Sequence, residues 1–383
     1  MSALRLLHLS QTDIRYDNRI LKELTALARN REYEVFCIGF ASAEAIHHSK
    51  MQHNFTIVTL SLFTEKLTWM PRSIRYALVM TEMTIRLVFA SVCRRPDVVH
   101  SHDTMALPAG ALIKLITGAK LIYDAHELES DKCGQSKILS KATLIFERLC
   151  WRSVDYLISV SPSIINWYKT NVGHKPSSLI LNSPFIESNI DGLLVRDKFK
   201  VGYFNQLYDI PQDCLVFIYI GLLAPGRGIE TTLNAFRSNM IKSHLIFVGY
   251  GKLHDEIRAI AAKHKNIHLH DPVPHEEVVS FVSHADVGLC LIENNSLSDY
   301  YCLPNKLFEY CFAGLPVLAS RFPDIESVVK EYSLGYCCDI EPNSIINAIK
   351  EFERHKPSRI DTDLTPLSWN TQENILNNVY QTL

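Results

Sequence analysis

The chain has 383 residues, 47% of them hydrophobic and 21% charged, with a formal net charge of −2. That length suits about two domains with substantial cores, and the near-neutral balance argues against a general nucleic-acid binder. No run reaches the ~20 apolar residues of a membrane span, Leu4 to Leu9 reads as a first strand rather than a signal peptide, and ten cysteines without C-x-x-C spacing suit reduced thiols in a cytoplasm.

The strand from Leu4 runs into a polar loop, Gln11 to Asn18, before helical spacing from Ile20 to Ala28 and a second strand, Glu34 to Phe40. Strand, helix and strand at this spacing predict a parallel sheet, whose ligands bind at the carboxyl ends of its strands. Arg15 and Arg19 in that region read best as solvated or paired. Asp97 to Asp103 is another strand with its exit loop, followed by a helix from about Met105 to Leu115. The next strand, Lys120 to Tyr123, leads to His126. A lone histidine is usually structural, but a position just past a strand's carboxyl end favours ligand contact. His102 and Asp103 are weaker candidates from the neighbouring strand end. A helix around Ala142 to Arg152 leads to the strand Val154 to Ser161, with Ser161 as a helix cap. Leu179 to Pro184 reads as the last strand of a first domain, and Pro184 to Asp213 as linker and entry segment.

The second half opens on the strand Leu215 to Gly221 and a glycine-rich turn, Leu222 to Glu230, that carries Arg227. Such a turn between strand and helix suits a phosphate, although neither G-K-[ST] nor G-x-G-x-x-G is present. The strand Leu245 to Gly251 ends in Gly249 and Gly251, whose backbone would approach a flat base. Strands at Asn266 to His270 and Val287 to Ile292 complete a second parallel α/β unit. Pro304 suits a first helical position, which predicts a helix over 304–313, a stop at Gly314 and a buried strand from Leu315 to Ala319. The open amides of Asn305 and Lys306, with the Lys306 side chain, make an anion site at the helix's positive end. Glu309 lies among Leu307, Phe308, Tyr310, Cys311 and Phe312, where a carboxylate needs a partner; a pair of sugar hydroxyls would serve. Asp361-x-Asp363 reads as a solvated loop, and no metal site is expected.

PNKLFEY from Pro304 and AGLPVLAS from Ala313 resemble the donor-site motif of GT-B glycosyltransferases, close to glycosyltransferase family 4 and its bacterial surface-polysaccharide subgroup. Those enzymes usually carry two glutamates eight positions apart; Glu309 matches the second, which holds the ribose, and the first falls on Tyr301. Arg227 matches the basic residue of the family's donor-phosphate loop, while Leu222 stands where a further arginine is common. His126 matches a histidine near the donor sugar, with Glu127 following as in the subgroup, and Asp17-x-Arg19-Ile20 with Glu23 resembles the family's opening. The resemblance implies an α/β fold of two Rossmann-like parallel-sheet domains facing a cleft. Residues 1–183 would form the acceptor side, 184–364 the nucleotide-sugar side, and 365–383 a helix crossing back. It implies a retaining, metal-independent glycosyltransferase without a cofactor, moving a sugar from a nucleotide-diphosphate sugar to a glycan or lipid-linked acceptor. His126, Arg227 and Lys306 would be catalytic. Glu309, Asn305, Tyr301, Gly226, Gly249 and Gly251 would bind donor, and Asp17, Arg19 and Glu127 would face the acceptor. A sugar-nucleotide epimerase of the same fold is an alternative. A non-catalytic nucleotide-sugar-binding partner subunit is another, kept open by Tyr301 and Leu222.

Met70 to Arg95 is strongly apolar, with Pro71 as a helix start and Arg72, Arg75, Glu82 and Arg86 recurring as one polar stripe. Phe63, Lys66 and Trp69 precede it, and Arg94-Arg95 close it. It reads either as a core helix or as an amphipathic helix on an anionic membrane. The resemblance favours the second, because enzymes of that subgroup often build on lipid-linked acceptors at the inner membrane face.

Overall fold

The computed structural model describes residues 3–41, 54–185 and 202–383. The chain divides into two compact units, Met1–Leu181 with Gln372–Leu383, and Asn182–Thr371. In the first unit the order is β1 (Leu4–Leu9), α1 (Asn18–Ala28), β2 (Tyr33–Phe40), β3 (Thr56–Leu60), α2 (Arg72–Val92), β4 (Val98–His102), α3 (Asp103–Thr117), β5 (Lys120–Ala125), α4 (Lys137–Cys150), β6 (Tyr156–Ser159), α5 (Pro162–Asn171) and β7 (Ser177–Leu179). The strands lie side by side as β3-β2-β1-β4-β5-β6-β7, and every neighbouring pair is parallel. β4 is buried throughout and β5 from its second residue. Helices that cover both faces of a parallel sheet bury its central strands in this way.

The second unit runs α6 (Tyr203–Tyr208), β8 (Val216–Ile220), α7 (Ile229–Phe236), β9 (His244–Val248), α8 (His254–Ala261), β10 (Ile267–His270), α9 (Val278–Val282), β11 (Val287–Cys290), α10 (Leu297–Tyr300), α11 (Asn305–Phe312), β12 (Val317–Ser320), α12 (Pro323–Glu331), β13 (Gly335–Cys338) and α13 (Pro342–Arg354). Its sheet is β10-β9-β8-β11-β12-β13, again parallel at each pair. Both units are therefore Rossmann-like. A last helix, α14 (Trp369–Thr382), returns the chain to the first unit from Gln372. There Gln372 accepts a hydrogen bond from the Leu181 amide at 3.0 Å, and Glu373 pairs with Arg29 at 2.9 Å.

Local signals explain most boundaries. Ser161 caps α5 by accepting from the Ile164 amide, as its sequence position predicts. Three edge strands depart from the sequence reading. β3 and β13 were not anticipated, and β7 lies upstream of the expected Leu179–Pro184. Edge strands are covered less completely, so they lack the apolar run that marks the central ones. α11 begins at Asn305, one residue later than expected. Pro304 is extended, and its carbonyl accepts from the Leu307 amide at 3.0 Å, so it serves as the cap rather than the first helical residue.

Gly249 and Gly251 follow β9 with φ of +147° and +150°. The turn they form hydrogen-bonds to the segment after β8, through Gly221 N–H to Val248 O at 3.0 Å and Leu223 N–H to Tyr250 O at 2.8 Å. A Cβ on Gly249 would lie 2.0 Å from the Gly221 carbonyl oxygen, and one on Gly251 2.2 Å from that of Leu223. Both glycines thus hold two ligand-side turns together. Gly249→Ala is expected to destabilise the protein by about 2 kcal/mol or more. Gly118→Ala, with φ of +80° and open space around its Cβ, should cost only the ~1 kcal/mol of left-handed strain. Equal urea midpoints for the two variants would show that the Gly249 contact is not limiting.

Candidate active site

In the second unit the strand order reverses between β8 and β11, the position where open parallel sheets bind ligands. The turn from β8 to α7 packs there against the segment after β11. Glu293 N–H donates to Gly226 O at 3.1 Å, and an added Cβ on Gly228 would touch Leu291 at 3.0 Å. Gly226 and Gly228 have φ of +83° and +67°, so this close path needs glycine. Arg227 between them makes no hydrogen bond or ion pair among the described residues.

α11 enters the same place. Lys306 Nζ stands 3.8 Å from the centroid of the Tyr219 ring on β8, and it is sealed from solvent with no hydrogen-bond partner among the described residues. The ring face offers partial compensation, but a buried ammonium with unused N–H donors invites an anion. No side chain caps α11, and Asn305 is its exposed first residue, so the helix adds its own positive end. Tyr310 of the same motif serves the fold. Its hydroxyl accepts from the Ile220 amide at 2.9 Å, and its ring fills the space that a side chain at Gly288 would need.

Glu309 is 8% exposed, and its Oε1 lies 4.0 Å from His275 Nδ1 in the turn after β10. Sequence reading missed His275 as a site residue; its one signal was a place just beyond a strand end. Burial holds the Cys290 thiol up at about 12, with Lys306 and Arg227 pulling it down and Glu309 pushing it up. The three charged groups therefore share one neighbourhood at the end of β11. Tyr301 closes α10 partly buried, its ring 5.5 Å from that of Tyr300.

In the first unit His126 follows β5. Its amide donates to Asp103 Oδ1 at 3.3 Å, and its Nε2 lies 3.1 Å from Asp124 Oδ2. Burial opposes its charge, but Asp103 and Asp124 outweigh burial and raise its pKa to about 10. It is an imidazolium at neutral pH, able to donate to a hydroxyl. Asp103 has φ of +61°, a strained conformation for a non-glycine residue, which turns its carboxylate to His126.

The acceptor-side expectations fare differently. Arg19 is buried, with Nη2 at 3.0 and 3.1 Å from the Asp124 oxygens, Nη1 at 3.0 Å from Ile180 O and Nε at 3.2 Å from Glu23. It is a structural pair rather than a substrate contact, because its donors are already engaged. Asp17 caps α1 by accepting from the Ile20 amide at 3.1 Å. Glu127 is exposed and lies 3.7 Å from Lys132.

Two Rossmann-like units, one bearing a cationic switch-point site, suit a GT-B glycosyltransferase. The family model described as Glycosyltransferase Family 4 matches residues 18–186, and that described as Glycosyl transferases group 1 matches residues 214–354. The chain belongs to this family. Its fold is similar to that of sucrose-phosphate synthase from Thermosynechococcus elongatus, at 15% identity and a TM-score of 0.76, over 99% of this chain and 98% of that one. It is also similar to HepE of Anabaena, solved with UDP and glucose, at 14% identity and a TM-score of 0.71, over 99% and 100%. The lipopolysaccharide outer core galactosyltransferase WaaB shares the fold at 14% identity and a TM-score of 0.62, over 99% and 100%. Comparison with curated protein sequences finds no match. Among the described residues no helix is long and apolar enough to cross a membrane.

Proposed function

We propose that the protein is a retaining glycosyltransferase that takes a sugar from a nucleotide-diphosphate sugar and passes it to a glycan or lipid-linked acceptor of a surface polysaccharide. The observation that carries the donor class is Lys306. Its buried, unpartnered ammonium stands with Arg227 and an uncapped helix start at the sheet's switch point. A diphosphate supplies the missing charge. As the nucleotide diphosphate leaves, negative charge grows on the bridging oxygen, and these preorganised groups stabilise it without a divalent metal or cofactor. Glu309 anchors the ribose. The nucleotide sugar is supported by HepE, whose structures hold UDP with glucose and UDP-glucose; the polysaccharide role is supported by the motif's subgroup and the WaaB fold. Mass spectrometry of the protein incubated with a panel of nucleotide sugars, in EDTA and with candidate acceptors, tests the proposal. Sugar transferred to an acceptor is expected. Donor altered without acceptor would favour the epimerase. Donor bound and unchanged would favour a partner subunit, the reading that Tyr301 keeps open.

The first unit's surface supports a reading of where the protein works. α2 buries Met83 and Leu87 yet leaves Phe89 76% exposed, while α3 beside it exposes Leu115 at 81%. Trp69, Ile116, Ile138 and Leu149 are also exposed, Arg75 and Arg86 lie within α2, and Lys66 precedes it. Glu82 is not part of a free stripe: it accepts from the Phe63 and Thr64 amides and pairs with Arg86 at 2.7 Å. We place this face on an anionic membrane, with the protein peripheral on the cytoplasmic side. Wild type should float with anionic vesicles at low salt and release at high salt, and Trp69, Phe89 and Leu115 changed together to serine should abolish flotation. No flotation by wild type would assign the face to another contact and favour a soluble acceptor.

A further inference from the structure

His126 ends a line of hydrogen bonds through the core of the first unit. Its Nε2 lies 3.1 Å from His102 Nδ1, and His102 Nε2 lies 2.9 Å from His8 Nδ1. His8 Nε2 lies 3.0 Å from the Tyr380 hydroxyl of α14, and that hydroxyl lies 2.7 Å from His100 Nδ1. His100 Nε2 has no hydrogen-bond partner and faces Asp124 Oδ2 at 3.5 Å and Glu23 Oε2 at 3.9 Å. The arrangement follows from strand register. His8 pairs with His100 and His102 with Asp124, and a period of two places His100 and His102 on one face.

We infer that these side chains form a proton wire that couples the charge of His126 to Glu23, with Tyr380 as its middle link and Asp124 Oδ2 alongside it, 3.1 Å from His126 Nε2, 3.4 Å from His102 Nδ1 and 3.5 Å from His100 Nε2. A protonated His126 carries N–H on both nitrogens, so Nε2 donates, shared between Asp124 and His102 Nδ1. His102 then holds its proton on Nε2 and donates to His8 Nδ1. His8 donates from Nε2 to the Tyr380 oxygen. Tyr380 donates to His100 Nδ1, and His100 presents its Nε2–H to the carboxylates. One tautomer, Nε2–H, satisfies all three neutral rings. Moving each proton one link onward breaks and forms one N–H or O–H bond per step. It converts the His126 imidazolium and Glu23 carboxylate into neutral imidazole and carboxylic acid, with nothing gained or lost.

The charges set where the proton rests. Burial lowers His8, His100 and His102, reinforced for His8 and His102 by their histidine neighbours, so the links are neutral. Burial and then Asp124 push Glu23 up to about 8, below His126 at about 10, so the shared proton rests on His126 and Glu23 is a free carboxylate acceptor only above about pH 8. The groups facing the line are Asp17, Arg19 and Glu23 from α1, Tyr33 and Cys37 from β2, Asp103 from α3 and Asp124 from β5. His8, Glu23, His100 and His102 also have the spacing of metal ligands. However, His8, His100 and His102 stack with centroids 4.3 to 5.2 Å apart and planes within 17° to 29°. Both His8 nitrogens are also engaged already, by His102 Nε2 at 2.9 Å and by the Tyr380 hydroxyl at 3.0 Å, which leaves neither for an ion.

Nitrogen-15 NMR of histidine-labelled full-length protein tests the wire without any substrate, so failure here leaves the transferase reading untouched. At pH 7, His8, His100 and His102 should be neutral Nε2–H tautomers and His126 cationic. Tyr380→Phe keeps the ring and removes the link. It should scramble the His8 and His100 tautomers and lower the His126 midpoint by about 0.5–1 pH unit. His8→Gln should do the same from the next link. Mixed tautomers in wild type would overturn the inference, as would an unchanged His126 midpoint in either folded variant. One equivalent of Zn²⁺ displacing the ring N–H signals would overturn it in favour of a metal site.

Discussion

Changing Lys306 to methionine should lower turnover by ~10²–10³-fold, the usual loss when one preorganised charge contact to a transition state is removed. The same substitution should leave stability unchanged or raised. Lys306 Nζ is sealed from solvent and makes no hydrogen bond among the described residues, so in the free protein its charge is a desolvation cost. Methionine fills a similar volume over the Tyr219 ring. Activity falling while the melting temperature holds or rises would mark a group kept for its ligand rather than for the fold. Arg227→Ala should cause a loss of similar size, because no partner among the described residues holds that guanidinium for structural reasons. Both losses should persist in EDTA. A wild-type rate in Lys306→Met, together with strict dependence on added magnesium or manganese, would move the charge-stabilising role to a metal.

Glu309→Ala should reduce both donor affinity and turnover by about 10²-fold or more, since each hydrogen bond to a charged group contributes ~1.5–3 kcal/mol and a ribose offers two hydroxyls. Glu309 is nearly buried among the core side chains of α11 and has His275 at 4.0 Å. Glu309→Gln, which keeps the shape, should fall between wild type and alanine, and His275→Ala should weaken donor binding less than either. Calorimetry with the donor and steady-state rates measure the two effects separately. Unchanged affinity with full turnover in Glu309→Ala would end the ribose-anchor role and return the residue to the fold.

The sequence by itself determined the two parallel α/β units, because strand and helix spacings alternate along both halves and central strands such as Val216–Ile220 read as apolar runs. It also located the α11 motif and the Arg227 turn, since a helix start and a glycine-rich turn are local chemistry. The partly covered edge strands β3, β7 and β13 were not legible as they stand, for they lack such runs. What only the tertiary structure decided is which distant side chains meet. Arg19 finds Asp124 across 105 residues, which turns an expected substrate contact into a buried pair. His8, His100 and His102 become one line with His126 because parallel register aligns β1 with β4 and β4 with β5. Lys306 acquires its meaning from Tyr219, three strands and four helices earlier in the chain. Gly249 and Gly251 look like room for a ligand in the sequence, and in the fold they are room for the backbone of the neighbouring turn. Local propensity depends on near neighbours, whereas register and burial are set by crossovers that bring remote segments together.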